Sequence, residues 1–104
     1  MQTLLAGAAA VTACLNVHGE SKPCEDTHRG SCQLIALYDE TSRAIEARIG
    51  ECAKEAGSAC EYLAQTRHVV CSCDTADNCN RHDSRWQQAA DDVYFNLFPD
   101  DRPT

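Results

Sequence analysis

The chain is short of the side chains from which a large apolar core is built. Its 104 residues include one Trp, two Phe, three Tyr and one Met, so aromatic burial can supply only a modest share of stability. No run of about eighteen apolar residues occurs, which excludes a membrane-spanning helix within the sequence. Nine Lys and Arg stand against sixteen Asp and Glu, a formal net charge of −7. That balance leaves no phosphate-neutralising surface and argues against a nucleic-acid partner. Ser21, Ser31, Ser58, Ser72 and Ser84 lack a G-x-S-x-G context. No phosphate-cradling glycine loop is present, and Asp74-x-x-Asp77-Asn78 lacks the Gly and distant Glu of a calcium loop. His18, His28, His68 and His82 are scattered among charged residues without recurring spacing, and read as solvated or turn residues. The expectation is a non-enzyme of one domain, without a cofactor.

What the chain does have is cysteine. The eight are Cys14, Cys24, Cys32, Cys52, Cys60, Cys71, Cys73 and Cys79, close to the density of a disulfide scaffold. Such a framework persists outside the reducing cytosol. The opening segment agrees with export. Residues 1–13 (MQTLLAGAAAVTA) carry no charge, and small residues precede Cys14, as in a secretory signal remnant cleaved before that cysteine. The absent basic n-region leaves two other readings. Val-Thr-Ala-Cys resembles a bacterial lipobox, and a buried N-terminal helix is the remaining alternative to the signal remnant.

Spacing alone cannot select one pairing among the roughly one hundred that eight cysteines allow. The chemical rival is zinc, because Cys71-x-Cys73-x5-Cys79-x2-His82 gathers four potential ligands. Zinc knuckles favour Cys-x2-4-Cys pairs, and no second pair completes a site. An even count in an exported chain favours bridges throughout, with no metal. Each bridge contributes about 2–4 kcal/mol by restricting the unfolded chain, so the fold is expected to rest on its crosslinks more than on its core.

The stretch Val69-Val70-Cys71-Ser72-Cys73-Asp74-Thr75-Ala76-Asp77-Asn78-Cys79-Asn80 resembles the closing signature of the three-finger superfamily. That superfamily contains snake toxins, urokinase-receptor-like domains and the ectodomains of activin and TGF-β receptors. Asp77 matches its acidic position and Cys79-Asn80 its terminal Cys-Asn. Gly30-Ser31-Cys32 followed by Gln33 to Asp39 is similar to the outgoing strand of the long middle finger, and Arg43 to Ile49 to its return, ending at Gly50-Glu51-Cys52. The penultimate pair is Cys-Ser-Cys rather than adjacent, and the final loop holds five residues where four is usual. The resemblance implies bridges Cys14–Cys32, Cys24–Cys52, Cys60–Cys71 and Cys73–Cys79. It also gives Asn80 a structural role, hydrogen-bonding backbone at the base of the fingers. It implies a protein ligand or receptor as partner, and hence a receptor-type ectodomain or a secreted modulator of a receptor or channel.

Local patterning is compatible with a mainly β, disulfide-rich fold. Gly19 and Lys22-Pro23 are turn signals for a first finger between Cys14 and Cys24. Leu34, Ala36 and Tyr38 alternate with Gln33, Ile35, Leu37 and Asp39; Asp39 to Ser42 suits a polar tip; Ile45, Ala47 and Ile49 alternate with Glu46 and Arg48. An all-α alternative competes. Ile45, Ile49, Cys52 and Ala56 also form a helical stripe in an Ala- and Glu-rich stretch over 44–64, resembling the disulfide-stapled bundles of GDNF-receptor-alpha domains. Beyond residue 82, Ser84-Arg85-Trp86-Gln87 reads as a capping box. It opens a C-terminal helix with Trp86, Ala90, Val93 and Leu97 on one face, closed by Pro99. The organisation expected is a signal remnant over 1–13, a three-finger-like domain over 14–82 and a helix with polar tail over 83–104. Leu34, Ala36, Tyr38, Ile45 and Ile49 are the candidate partner-binding face, being more apolar than an exposed hairpin needs; packing on a neighbouring element is the competing reading.

Overall fold

The computed structural model describes residues 10–102. Six strands form two antiparallel sheets, followed by one α-helix. β1 (Ala13–Leu15) and β2 (Ser21–Pro23) make a small hairpin. β3 (Ser31–Tyr38), β4 (Ile45–Ala53), β5 (Ala59–Leu63) and β6 (His68–Cys73) form a four-stranded sheet in the order β4-β3-β6-β5. The chain is thus three successive hairpins closed by α1 (Ser84–Leu97), and the mainly β, disulfide-rich reading is the correct one. The helical-bundle alternative for 44–64 is overturned: β4 and β5 occupy that stretch. Ala and Glu favour helix by only tenths of a kcal/mol per residue, while eight register pairs to β3 and two disulfides hold the stretch extended.

Four disulfides join Cys14 to Cys32, Cys24 to Cys52, Cys60 to Cys71 and Cys73 to Cys79, the same pairs that the three-finger resemblance implies. None of the eight thiols is free. The bridges cluster where the hairpins converge. Cys32 lies opposite Cys52 on β4 and Cys73 on β6, and Cys14 and Cys32 share a small core with Val11. The tips are held by local polar turns instead. Asp39 Oδ1 accepts from the amides of Thr41 and Ser42 at 2.8 and 2.9 Å, which holds its carboxyl below the ordinary carboxylate range. Asn16 Oδ1 accepts from His18 and Glu20 amides, and Gly19 supplies the positive φ of that turn. Lys22-Pro23 is not part of the turn. It lies in β2, with Pro23 opposite Ala13, a placement open to proline on an edge strand.

The first hairpin docks on the sheet through a close backbone approach. A Cβ on Gly50 would stand 2.5 Å from the Leu15 carbonyl oxygen, so only glycine lets β1 lie against β4. Residues 1–9 of the predicted signal segment lie outside the described residues. The end of that segment belongs to the fold: Val11 is 2% exposed, its amide donates to the Arg29 carbonyl at 3.0 Å, and Ala13 opens β1.

α1 lies across one face of the four-stranded sheet. Its N-cap is Asp83, whose side chain accepts from the Arg85 amide, one residue earlier than the Ser84 box predicts. Gln87, free of a capping role, donates to the Arg43 carbonyl at 2.6 Å. The buried stripe is Trp86, Ala90, Tyr94 and Phe95; Val93 is partly buried and Leu97 is 56% exposed. The main core forms between that stripe and Leu34, Tyr38, Tyr62, Val69 and Cys71. Edge-on and tilted aromatic contacts link Tyr38, Tyr62 and Tyr94 at 5.0–5.7 Å between centroids, and such pairs add about 0.5–1.5 kcal/mol beyond burial.

Candidate functional site

The base of the hairpins is tied by two side chains singled out from sequence. Asn80, following the last cysteine, is 2% exposed. Its Oδ1 accepts from the Leu15 amide, and its Nδ2 donates to the carbonyls of Leu15 and Gln33, each at 2.9 Å. One amide side chain thereby joins β1, β3 and the segment after β6. Asp77 accepts from the Thr12 amide at 2.7 Å and from the Thr12 hydroxyl. These hydrogen bonds hold the Asp77 carboxyl below its ordinary range, the hydroxyl first.

Of the five apolar residues expected to meet a partner, Leu34, Ala36 and Tyr38 are buried on the sheet face that packs against α1. Ile45 packs partly against the same core. In this arrangement these four serve the helix. Ile49 is different: it is 43% exposed. Ile35 pairs with Ile49 but Ala36 pairs with Ala47, so Arg48 is an extra residue in β4. That bulge reverses the alternation, turning Ile49 away from the helix while Ile45 and Ala47 remain beneath it.

The opposite sheet face gathers what the helix does not cover. Directly paired residues share a face, so Ile49, Ile35, Val70 and Glu61 form one row across the sheet, and Glu46, Leu37, His68 and Leu63 the next. A third row runs Glu51, Gln33, Ser72 and Ala59. Leu63 is 40% exposed, Ile35, Leu37 and Val70 are half-buried, and none of them belongs to either core. Carboxylates stand on both edge strands, Glu46 and Glu51 on β4 and Glu61 on β5, and all three are exposed. Arg48 is engaged by Glu46 at 3.6 Å. The sequence carried a sign of this face, since Ile35 and Leu37 fall in the set that alternation assigns outward.

The helix side is tied by phenol–carboxylate hydrogen bonds. Tyr38 donates to Asp91 at 2.7 Å, Tyr62 to Glu40 at 2.5 Å and Tyr94 to Asp101 at 2.6 Å. Burial, then the bonded carboxylate, raises the Tyr38 and Tyr62 hydroxyls well above the ordinary phenol value. The Asp101 hydrogen bond leads in pushing Tyr94 up to about 12. Arg43 and Arg102 lie over the Phe95 ring at 5.9 and 5.0 Å, fixing the helix end further.

Among the described residues, the sulfurs of Cys14, Cys24 and Cys52 lie close enough to suggest a metal cluster. All three are consumed in disulfides, and a disulfide sulfur is not the thiolate that metals take. A groove of about 500 Å³ is lined by Val17 and His18 of the first hairpin and by Arg81 and His82 after β6, with Leu34 and Ala47 also on its wall. Among the described residues no helix is long and apolar enough to cross a membrane. Comparison with protein-family models found no match, and comparisons with curated proteins and with solved structures found none either.

Proposed function

We propose that the protein is an extracellular, non-enzymatic recognition module of three-finger type that binds a protein ligand or receptor. In this reading it acts as a receptor-type ectodomain or as a secreted modulator of a receptor or channel. One observation carries the proposal: the bridges and the Asn80 hydrogen bonds lie where the hairpins converge, while the sheet face opposite α1 contributes to neither core. A framework of that kind holds recognition surfaces on a rigid scaffold. Four disulfides in a chain of 104 residues support an oxidising, extracellular setting.

The test is secretion followed by binding. Expressed behind its own first residues in a secreting host, the protein should reach the medium without titratable thiols. The oxidised protein should then bind saturably to a member of an array of extracellular proteins from its own organism. Reduced and alkylated protein should lose that binding. Retention in the cytosol with free thiols, or equal binding after reduction, would overturn the proposal.

A further inference from the structure

We infer that the sheet face opposite α1 is the docking surface of this module, and that its occupant is a protein presenting an apolar ridge flanked by Lys or Arg. The inference rests on the recognition reading above and adds to it the surface and the partner's chemistry. On β3 and β6 the face carries Ile35, Val70 and Leu37, with His68 beside Leu37 and Gln33 and Ser72 closing the end near the bridges; Ile49 and Leu63 extend the apolar part to the edges. Two exposed and three half-buried apolar side chains thus adjoin one another outside both cores, and an apolar patch left open to water on a small domain marks a contact.

Charge selects the occupant. The carboxylates sit along both margins, Glu46 and Glu51 on one side and Glu61 on the other. The sole arginine of the face's β4 margin, Arg48, is paired with Glu46, leaving Glu51 and Glu61 without a salt bridge among the described residues. A second copy of this chain would bring the same carboxylates, and a net charge of −7, against their own kind. An anionic lipid surface would meet the same repulsion. A ridge with cations on both flanks satisfies the apolar centre and the acidic margins together. The dimensions agree: four strands place the two margins roughly 14 Å apart, and an α-helix about 10–12 Å across fits between them.

The probe is an amphipathic helical peptide with a Leu stripe flanked by Lys, titrated into isotopically labelled, oxidised protein. Two control peptides keep one feature each: a Leu stripe flanked by Glu, and a Ser stripe flanked by Lys. The Leu/Lys peptide should shift resonances of Ile35, Leu37, Ile49, Leu63 and Val70 and spare those of Trp86 and Ala90; both controls should bind at least about tenfold more weakly. Ile49→Ser combined with Leu63→Ser should weaken the Leu/Lys peptide about tenfold or more. Both side chains are exposed, so the double variant should keep its disulfides and near-UV spectrum. Glu51→Lys with Glu61→Lys should weaken the peptide and flatten its salt dependence between about 0.05 and 0.5 M.

Equal binding of the Ser/Lys control, shifts centred on α1 or the His18–His82 groove, or unchanged affinity of the double serine variant would overturn the assignment. Dimerisation through these residues would replace the partner by a second copy, and binding to phosphatidylserine vesicles would replace it by a membrane. Any of these outcomes refutes the surface or its partner chemistry while leaving the secretion and array test to decide the recognition reading separately.

Discussion

Replacing Asn80 tests the junction of the three hairpins with a single side chain. Asn80→Ala removes three hydrogen bonds, to the Leu15 amide, the Leu15 carbonyl and the Gln33 carbonyl. A net hydrogen bond contributes about 1 kcal/mol, and a buried group left without its partner costs about 1–3 kcal/mol. Asn80 is 2% exposed, so water reaches the orphaned groups poorly, and the loss should total about 3–4 kcal/mol. That is a large fraction of the roughly 5–15 kcal/mol that holds a domain of this kind together. Urea unfolding with disulfides intact should show a lower midpoint at unchanged slope. Asn80→Asp gives a sharper signature. Near neutral pH its carboxylate would face two carbonyl oxygens, so its folded-state pKa rises above the unfolded value. The stability it retains is therefore present below the unfolded pKa and lost as pH rises through the folded one. The gap between the Asp variant and the wild type should narrow on acidification. A loss below about 1 kcal/mol in the alanine variant, or a gap that widens towards acid, would refute the reasoning.

Three further outcomes follow from the same contacts. All three tyrosines of the chain donate to carboxylates with raised pKa; the stability they contribute is present below the ordinary phenol pKa and lost above it, so absorbance at the tyrosinate band should lag free tyrosine through pH 10–11 (about one unit above the ordinary value) and catch up only on alkaline unfolding. Asp77 has a lowered pKa, so its hold on Thr12 is present above the ordinary carboxylate pKa and weakens as pH falls through the lowered value; amide exchange at Thr12 should quicken there, and Asp77→Asn should remove that acid dependence. A chain beginning at Cys14 lacks the Thr12–Asp77 contact and buried Val11, and the loss of Val11 burial alone should make it unfold about 1.5–3 kcal/mol more easily than one beginning at Ala10; equal midpoints would show that these residues carry no load.

How legible the fold was varies by element. Cysteine order and the Asp77-x-Cys79-Asn80 ending marked the framework because crosslinks and a buried amide demand particular residue types. The alternation of Leu34, Ala36 and Tyr38 was readable too, but not its purpose. Nothing local to β3 states that a helix beginning some 46 positions after Tyr38 will cover that face rather than leave it to a partner. The stretch 44–64 read both as strand and as helix because Ala and Glu carry a weak helical preference that pairing with β3 overrides. The bulge at Arg48 was invisible, having no Gly or Pro to mark it, and it alone moved Ile49 to the other face. At the helix start, Asp83 and Ser84 are both capable caps. Tertiary context decided between them, by using Gln87 to bind the Arg43 carbonyl instead of closing a capping box.

Disulfide mapping of the oxidised protein tests the framework most directly. The bridges from Cys14 and Cys24 pass within 3.6 Å at their sulfurs, and a single residue separates Cys71 from Cys73. Partial reduction with sequential alkylation is therefore the suitable method. Four bonds, Cys14–Cys32, Cys24–Cys52, Cys60–Cys71 and Cys73–Cys79, with no free thiol, is the result expected. A Cys14–Cys24 link, an exchange of partners between Cys71 and Cys73, or any unpaired cysteine in the folded protein would contradict it.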